Sequence, residues 1–158
     1  MKHTKCYIPE YPRPQLVRTD WVNLNGEWAF GFEDVKAANA LKGELPLKIN
    51  VPFAYETELS GIHDEKMHPT VWYSKVISGK KGKRTLLNFD GADYITTVYI
   101  NGRLVGTHKG AYSRFTFDVT DYLTKAENVL TVRCDDDNHP IQVRGKQRWE
   151  SQNFGCWY

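Results

Sequence analysis

The stretch 142–158, QVRGKQRWESQNFGCWY, mixes Arg144, Lys146, Gln147, Arg148, Gln152 and Asn153 with Trp149, Phe154, Trp157 and Tyr158. Aromatic faces stack on the C–H side of sugar rings, while guanidinium and amide groups hydrogen-bond hydroxyls. Arg148, Trp149, Asn153, Trp157 and Tyr158 are therefore candidate carbohydrate contacts. The alternative is a long loop whose aromatic side chains pack on the body of the protein. Asp135-Asp136-Asp137-Asn138-His139 is the densest group of metal-ligand types. In extended chain, successive side chains point to opposite faces, so three adjacent aspartates do not all meet one ion. A solvated loop is the plainer reading; a loop folded to chelate Ca²⁺ through carboxylate and carbonyl oxygens is the weaker candidate. No other metal or cofactor is expected. His63 and His68 read as exposed loop histidines, with too few neighbouring ligands for zinc. No G-x-S-x-G elbow is present, and no acidic pair stands out among the 19 Asp and Glu residues.

These residues need a frame, and the stretch 86–122 organises it. Asn101-Gly102 lies between two apolar-rich runs and predicts a two-residue type I′ turn, where both residues take positive φ. The implied register sets Ile100 opposite Arg103, Tyr99 opposite Leu104 and Val98 opposite Val105. Val98, Ile100 and Val105 then share one face, and Tyr99 and Leu104 the other. Phe89-Asp90-Gly91-Ala92-Asp93 reads as a turn before this hairpin, and residues 115–119 alternate as a strand. Upstream, Trp28, Phe30 and Phe32 alternate with small residues over a strand at 27–32. Residues 34–43 are the one good helical window, ended by Gly43. Residues 47–51 are a strand closed by Pro52, 55–70 a long loop, 71–77 and 84–89 strands, and 128–134 a further alternating strand. About eight short strands and almost no helix predict an all-β antiparallel β-sandwich.

Composition bounds the rest. A chain of 158 residues is one domain by length and can bury a core. We expect a single unit over 1–158, with an irregular proline-bearing arm at 1–14 and a loop or tail at 135–158. A net charge of +2 with scattered Lys and Arg argues against nucleic-acid binding. No apolar run reaches the ~20 residues of a membrane span. The three cysteines, Cys6, Cys134 and Cys156, form no CxxC motif and no even set, which favours a reducing, cytoplasmic compartment. The N-terminus shows no apolar core of a signal peptide.

The ordered motifs point further. They run Leu24-Asn25-Gly26-Glu27-Trp28-x-Phe30, Val51-Pro52-Phe53, Val71-Trp72-Tyr73 and Phe89-Asp90-Gly91-Ala92-Asp93. They continue with Val98-Tyr99-Ile100-Asn101-Gly102, Val105-Gly106-x-His108, Gly110-Ala111-Tyr112, Phe117-Asp118-Val119-Thr120 and Asn128-Val129-Leu130-x-Val132. In this order they resemble the N-terminal sugar-binding jelly roll of glycoside hydrolase family 2, the β-galactosidase and β-glucuronidase family, from about residue 16 to 158. The resemblance implies a galactose-binding-domain-like jelly roll. It also implies a non-catalytic part of a β-glycosidase, partnered by downstream sandwich and barrel domains and by a β-glycoside. Retaining glycosidases need two carboxyl groups ~5–5.5 Å apart, and in that family both come from a later barrel. The segment corresponding to 142–158 helps wall the sugar pocket there and continues as aromatic-x-Arg-Thr-Thr-Gly-Ile-Trp, which this sequence lacks. Some members carry an acidic residue near Trp157 that meets the sugar; Trp stands here, so no acid role is carried over. A truncated last strand would leave a sheet edge open to a second copy of the chain. A stand-alone carbohydrate-binding module and a β-sandwich interaction scaffold are the alternative functions.

Overall fold

The computed structural model describes residues 20–79 and 82–136. Within them the chain forms eight strands, a single turn of α-helix (α1, Ala37–Ala40) and two short 3₁₀ turns. The strands are β1 (Gly26–Phe32), β2 (Leu47–Val51), β3 (Thr70–Ser78), β4 (Leu86–Phe89), β5 (Ile95–Ile100), β6 (Arg103–Lys109), β7 (Phe115–Asp118) and β8 (Glu127–Asp135). All pairings are antiparallel. One sheet has the order β2-β1-β3-β8-β5-β6, and β4 and β7 form the second. The expected all-β antiparallel sandwich is present, with its layers unequal in size.

Period-two alternation explains the core. Phe30, Val98, Ile100 and Leu130 are fully buried and share one apolar cluster with Trp28, Val71, Val132 and Cys134 of the large sheet and with Leu87 and Phe115 of the small one. Phe30 meets Phe32 and Tyr73 edge-to-face, each at 5.0 Å between ring centres, the geometry aromatic quadrupoles prefer. Trp72 points the other way. It is buried at 4 % exposure against Tyr99, at 6.4 Å, and under the Arg133 guanidinium. The large sheet thus buries apolar groups on both faces. Part of its second face lies under the 33–46 excursion: Thr131 Oγ1 donates to the Ala40 carbonyl at 3.1 Å, and a Cβ on Gly31 would stand 2.6 Å from Val35 Cγ2.

The hairpin turns at Asn101-Gly102 with φ of 52° and 76°, as a type I′ turn requires. Its register departs from expectation beyond the first two pairs. Ile100 faces Arg103 and Tyr99 faces Leu104, but Val98 faces Gly106, because Val105 is the extra residue of a β-bulge. The glycine is required there: a Cβ on Gly106 would lie 2.5 Å from the Phe117 ring. A periodicity argument assumes one residue against one and so places Val105 where Gly106 stands.

The turn is bolted to the adjoining loop. Asn101 Nδ2 donates to Asn128 Oδ1 at 2.8 Å and to the Tyr122 carbonyl, while Asn101 Oδ1 accepts from Val129 N–H. Asn128 is fully buried and also bonds the Lys125 N–H and carbonyl. Next to it, Asp118 closes β7: its Oδ1 accepts from Thr120 N–H and Oγ1, and Arg84 Nε donates to Oδ2. Replacing Asn128 with Ala strands the Asn101 amide and the Lys125 backbone groups in a buried site. We expect a loss of about 1–3 kcal/mol, read in urea unfolding as a lower midpoint with an unchanged m-value. A midpoint equal to wild type would mean the network carries no net stability.

Candidate functional site

The five candidate carbohydrate contacts, Arg148, Trp149, Asn153, Trp157 and Tyr158, lie outside the described residues, as do Asp137, the 1–14 arm and the expected truncated strand. The structure does define where the segment leading to them departs. The description ends at Asp136, at the end of the large sheet where β3 begins, β5 begins and β8 ends. Thr70 and Ile95 both face Asp135 across the ladder. Tyr94 N–H donates to the Asp135 carbonyl at 3.3 Å, and Asp136 N–H donates to the Pro69 carbonyl at 2.9 Å.

Of the three aspartates weighed as a Ca²⁺ site, Asp135 is committed to protein donors. Its Oδ1 accepts from Thr70 Oγ1 at 2.7 Å and from Arg133 Nε at 2.8 Å, and Arg133 Nη2 lies 2.7 Å away. Asp135 is the last residue of β8 and Asp136 follows it outside the strand, so their side chains serve different surroundings. Among the described residues, no group of three His, Cys, Asp or Glu is arranged to hold a metal ion.

His68 corrects the reading of both histidines as exposed. His63 is exposed, but the His68 side chain is only 13 % exposed. Its Nδ1 lies 2.9 Å from Glu33 Oε2 and its Nε2 3.3 Å from Asp64 Oδ2. The ring stacks on Phe32 at 3.7 Å and meets Tyr55 edge-on at 5.6 Å. The 55–70 loop is therefore pinned to β1 by an imidazole between two carboxylates. Asp64 sits four residues before His68, a spacing visible in sequence; Glu33 is remote in the chain and left no such signal.

Behind this clasp is a cavity of about 20 Å³, room for one water-sized group. Tyr55, His68, Tyr73, Asp93, Cys134 and Asp136 contribute to its lining. Burial pushes the Tyr55 hydroxyl well above the ordinary phenol value, and the charges of Glu56, Asp136 and Asp64 push it further. Burial raises Cys134 to about 12, with the charges of Asp135, Asp93 and Asp136 adding to the effect. Asp64 is lowered, first by the Lys66 N–H it accepts, with the His68 hydrogen bond also lowering it. This end of the sheet is a negative, aromatic-lined rim, rich in acceptors for hydroxyl donors.

A family profile described as glycosyl hydrolase 2 galactose-binding domain-like matches residues 48–155. The chain belongs to this family. The match runs across the rim and into the segment beyond it. A β-galactosidase of Thermoanaerobacter pseudethanolicus is 32% identical over 130 residues, which is 76% of this chain and 17% of that protein. A β-glucuronidase of Bacteroides fragilis is 34% identical, over 70% of this chain and 16% of that protein. Among solved structures, a Bifidobacterium dentium β-glucuronidase complexed with coumarin-3-O-glucuronide superposes with a TM-score of 0.62 at 34% identity, over 71% of this chain and 19% of that one. The chain thus spans less than a fifth of the length of these relatives, and its fold is that of their galactose-binding-like part.

The galactose-binding-like domain carries one described thiol, Cys134, and its environment is testable. The sign follows from the raised value: the neutral thiol is favoured in the fold, so its stabilising contribution is full below the ordinary value near 9.0 and is lost as pH climbs towards about 12. Native protein at pH 8 should leave Cys134 unalkylated by iodoacetamide in peptide-resolved mass spectrometry, with modification appearing only after unfolding. Rapid labelling of native Cys134 at that pH would contradict the buried placement.

Proposed function

We propose that the chain is the non-catalytic N-terminal carbohydrate-binding domain of a family 2 β-glycosidase. In this reading it helps to wall the sugar pocket and supports a catalytic barrel supplied by the rest of the parent enzyme. One observation carries the reading. The family match continues through residue 155 and so takes in Arg148, Trp149 and Asn153, whose stretch of sequence follows directly on the acidic, aromatic-lined rim at Asp136. The aromatic and guanidinium residue types in that segment's sequence, taken with the carboxylate acceptors of the rim, suit a polyhydroxylated ligand better than an apolar one.

The relatives act on both galactosides and glucuronides by name, so a β-glycoside is the substrate class and the sugar is set elsewhere. The carboxylate pair that breaks the glycosidic bond is assigned to the barrel, and this domain to positioning and exclusion of water. The free thiol at Cys134 suits a reducing, cytoplasmic setting. Pairing of two copies through an exposed sheet edge is the accompanying assembly proposal, since β2 and β6 end the large sheet among the described residues.

Alone, the chain should bind a methyl β-galactoside or β-glucuronide weakly, with Kd on the order of mM, because the barrel side of the proposed site belongs to the rest of the parent enzyme. A tryptophan-fluorescence titration reads this. The Arg148→Ala, Trp149→Ala and Trp157→Ala variants should abolish the response. Retention of full binding by all three would remove the assignment, and turnover of chromogenic β-glycosides above background would show that the chain is catalytic after all.

A further inference from the structure

Two sulfur-bearing side chains, Met67 and Cys134, line the cavity behind the His68 clasp, and the fold exposes them unequally. Cys134 is 7 % exposed and Met67 37 %. Oxidants ordinarily take a cysteine first, because the thiolate is the nucleophile. Burial holds Cys134 as the protonated thiol. A thioether has no proton to lose before it reacts, so at this cavity the methionine is the sulfur open to oxidation. The chain has one other methionine, Met1.

Met67 also lies where the chain is loosely tied. It belongs to the irregular 61–69 connection between the 3₁₀ turn at Glu58–Ser60 and β3. The residues around it are pinned. Asp64 N–H donates to the Tyr55 carbonyl at 3.2 Å, His68 N–H donates to the Tyr55 hydroxyl at 3.4 Å, and the His68 ring lies between Glu33 and Asp64. Met67 itself takes part in no hydrogen bond among the described residues, so packing positions its side chain. Oxidation turns that flexible apolar side chain into a polar one. The new sulfoxide oxygen is an acceptor, and Asp93 and Asp136 already bring carboxylate acceptors to this cavity. Turning towards water is the favourable response, and it unroofs the cavity.

We propose that Met67 is an oxidation site that gates Cys134: a hydroperoxide converts its thioether to the sulfoxide, and the altered side chain leaves the cavity and lets solvent reach the thiol. In the step, a lone pair on Met67 Sδ attacks one peroxide oxygen and the O–O bond breaks. The departing oxygen takes the proton of the transferred hydroxyl and leaves as water or an alcohol. Sulfur loses two electrons and the peroxide gains them. The proposal does not depend on the carbohydrate reading, since no sugar takes part.

The test uses the native 158-residue chain. N-ethylmaleimide at neutral pH first caps every thiol already accessible. Dilute hydrogen peroxide follows, then catalase, then iodoacetamide at pH 8, with peptide-resolved mass spectrometry after each step. Met67 should gain one oxygen while the Cys134 peptide gains none. Iodoacetamide labelling of Cys134 should then rise roughly tenfold over a mock-treated sample, the scale on which an unmet polar group destabilises a buried site. Met67→Leu, which nearly conserves volume and has no thioether, should show no rise after peroxide. Because that substitution also changes the wall, a second measurement stays with the wild-type chain: treatment with the two methionine sulfoxide reductases should return Cys134 labelling to the mock rate. The proposal falls if Met67 resists peroxide in the native chain, or if the Cys134 peptide is oxidised before Met67. It also falls if Cys134 labelling is unchanged once Met67 is oxidised, if it rises equally in Met67→Leu, or if the reductases restore Met67 without shielding the thiol again.

Discussion

The hydrogen bond from Asn101 Nδ2 to the buried Asn128 Oδ1 sets the frame of this sandwich. It joins the tip of the β5–β6 hairpin to the entry of β8, and β8 lies between β3 and β5 in the large sheet. Side chains alternate along a strand, so a slip of one residue would exchange every core group of β8 for a solvent-facing one. With Asn101 Oδ1 also receiving Val129 N–H, the polar network selects the register that sends Leu130, Val132 and Cys134 into the core. Buried amides are costly when unsatisfied and directional when satisfied, which suits them to choosing one register among several of similar hydrophobic burial.

At its other end β8 is held by charge. Asp135 gathers Thr70 and Arg133, and Arg133 in turn covers Trp72. His68 ties the neighbouring loop to Glu33 and Asp64. Carboxylates are concentrated at this end of the sheet, and the fold uses some of them, Asp135 and Asp64, as braces. Burial is the main reason that the Tyr55 hydroxyl and the Cys134 thiol hold their protons, and the neighbouring carboxylates add to it.

The sequence by itself determined what depends on local patterning. The turn at Asn101-Gly102, the alternating strands, the closure of β2 at Pro52, the single turn of helix before Gly43 and the all-β class were legible, because each follows from φ preferences or from period-two alternation within a few residues. Nine motifs in order were enough to indicate the family. Tertiary structure decided what depends on residues distant in the chain. Position 106, beside the bulge at Val105, must be glycine because Phe117, on another sheet, occupies the space of a Cβ there. His68 leaves solvent because Phe32 and Glu33 come to it from β1 and its end. Asp135 became a brace because Thr70 lies opposite it.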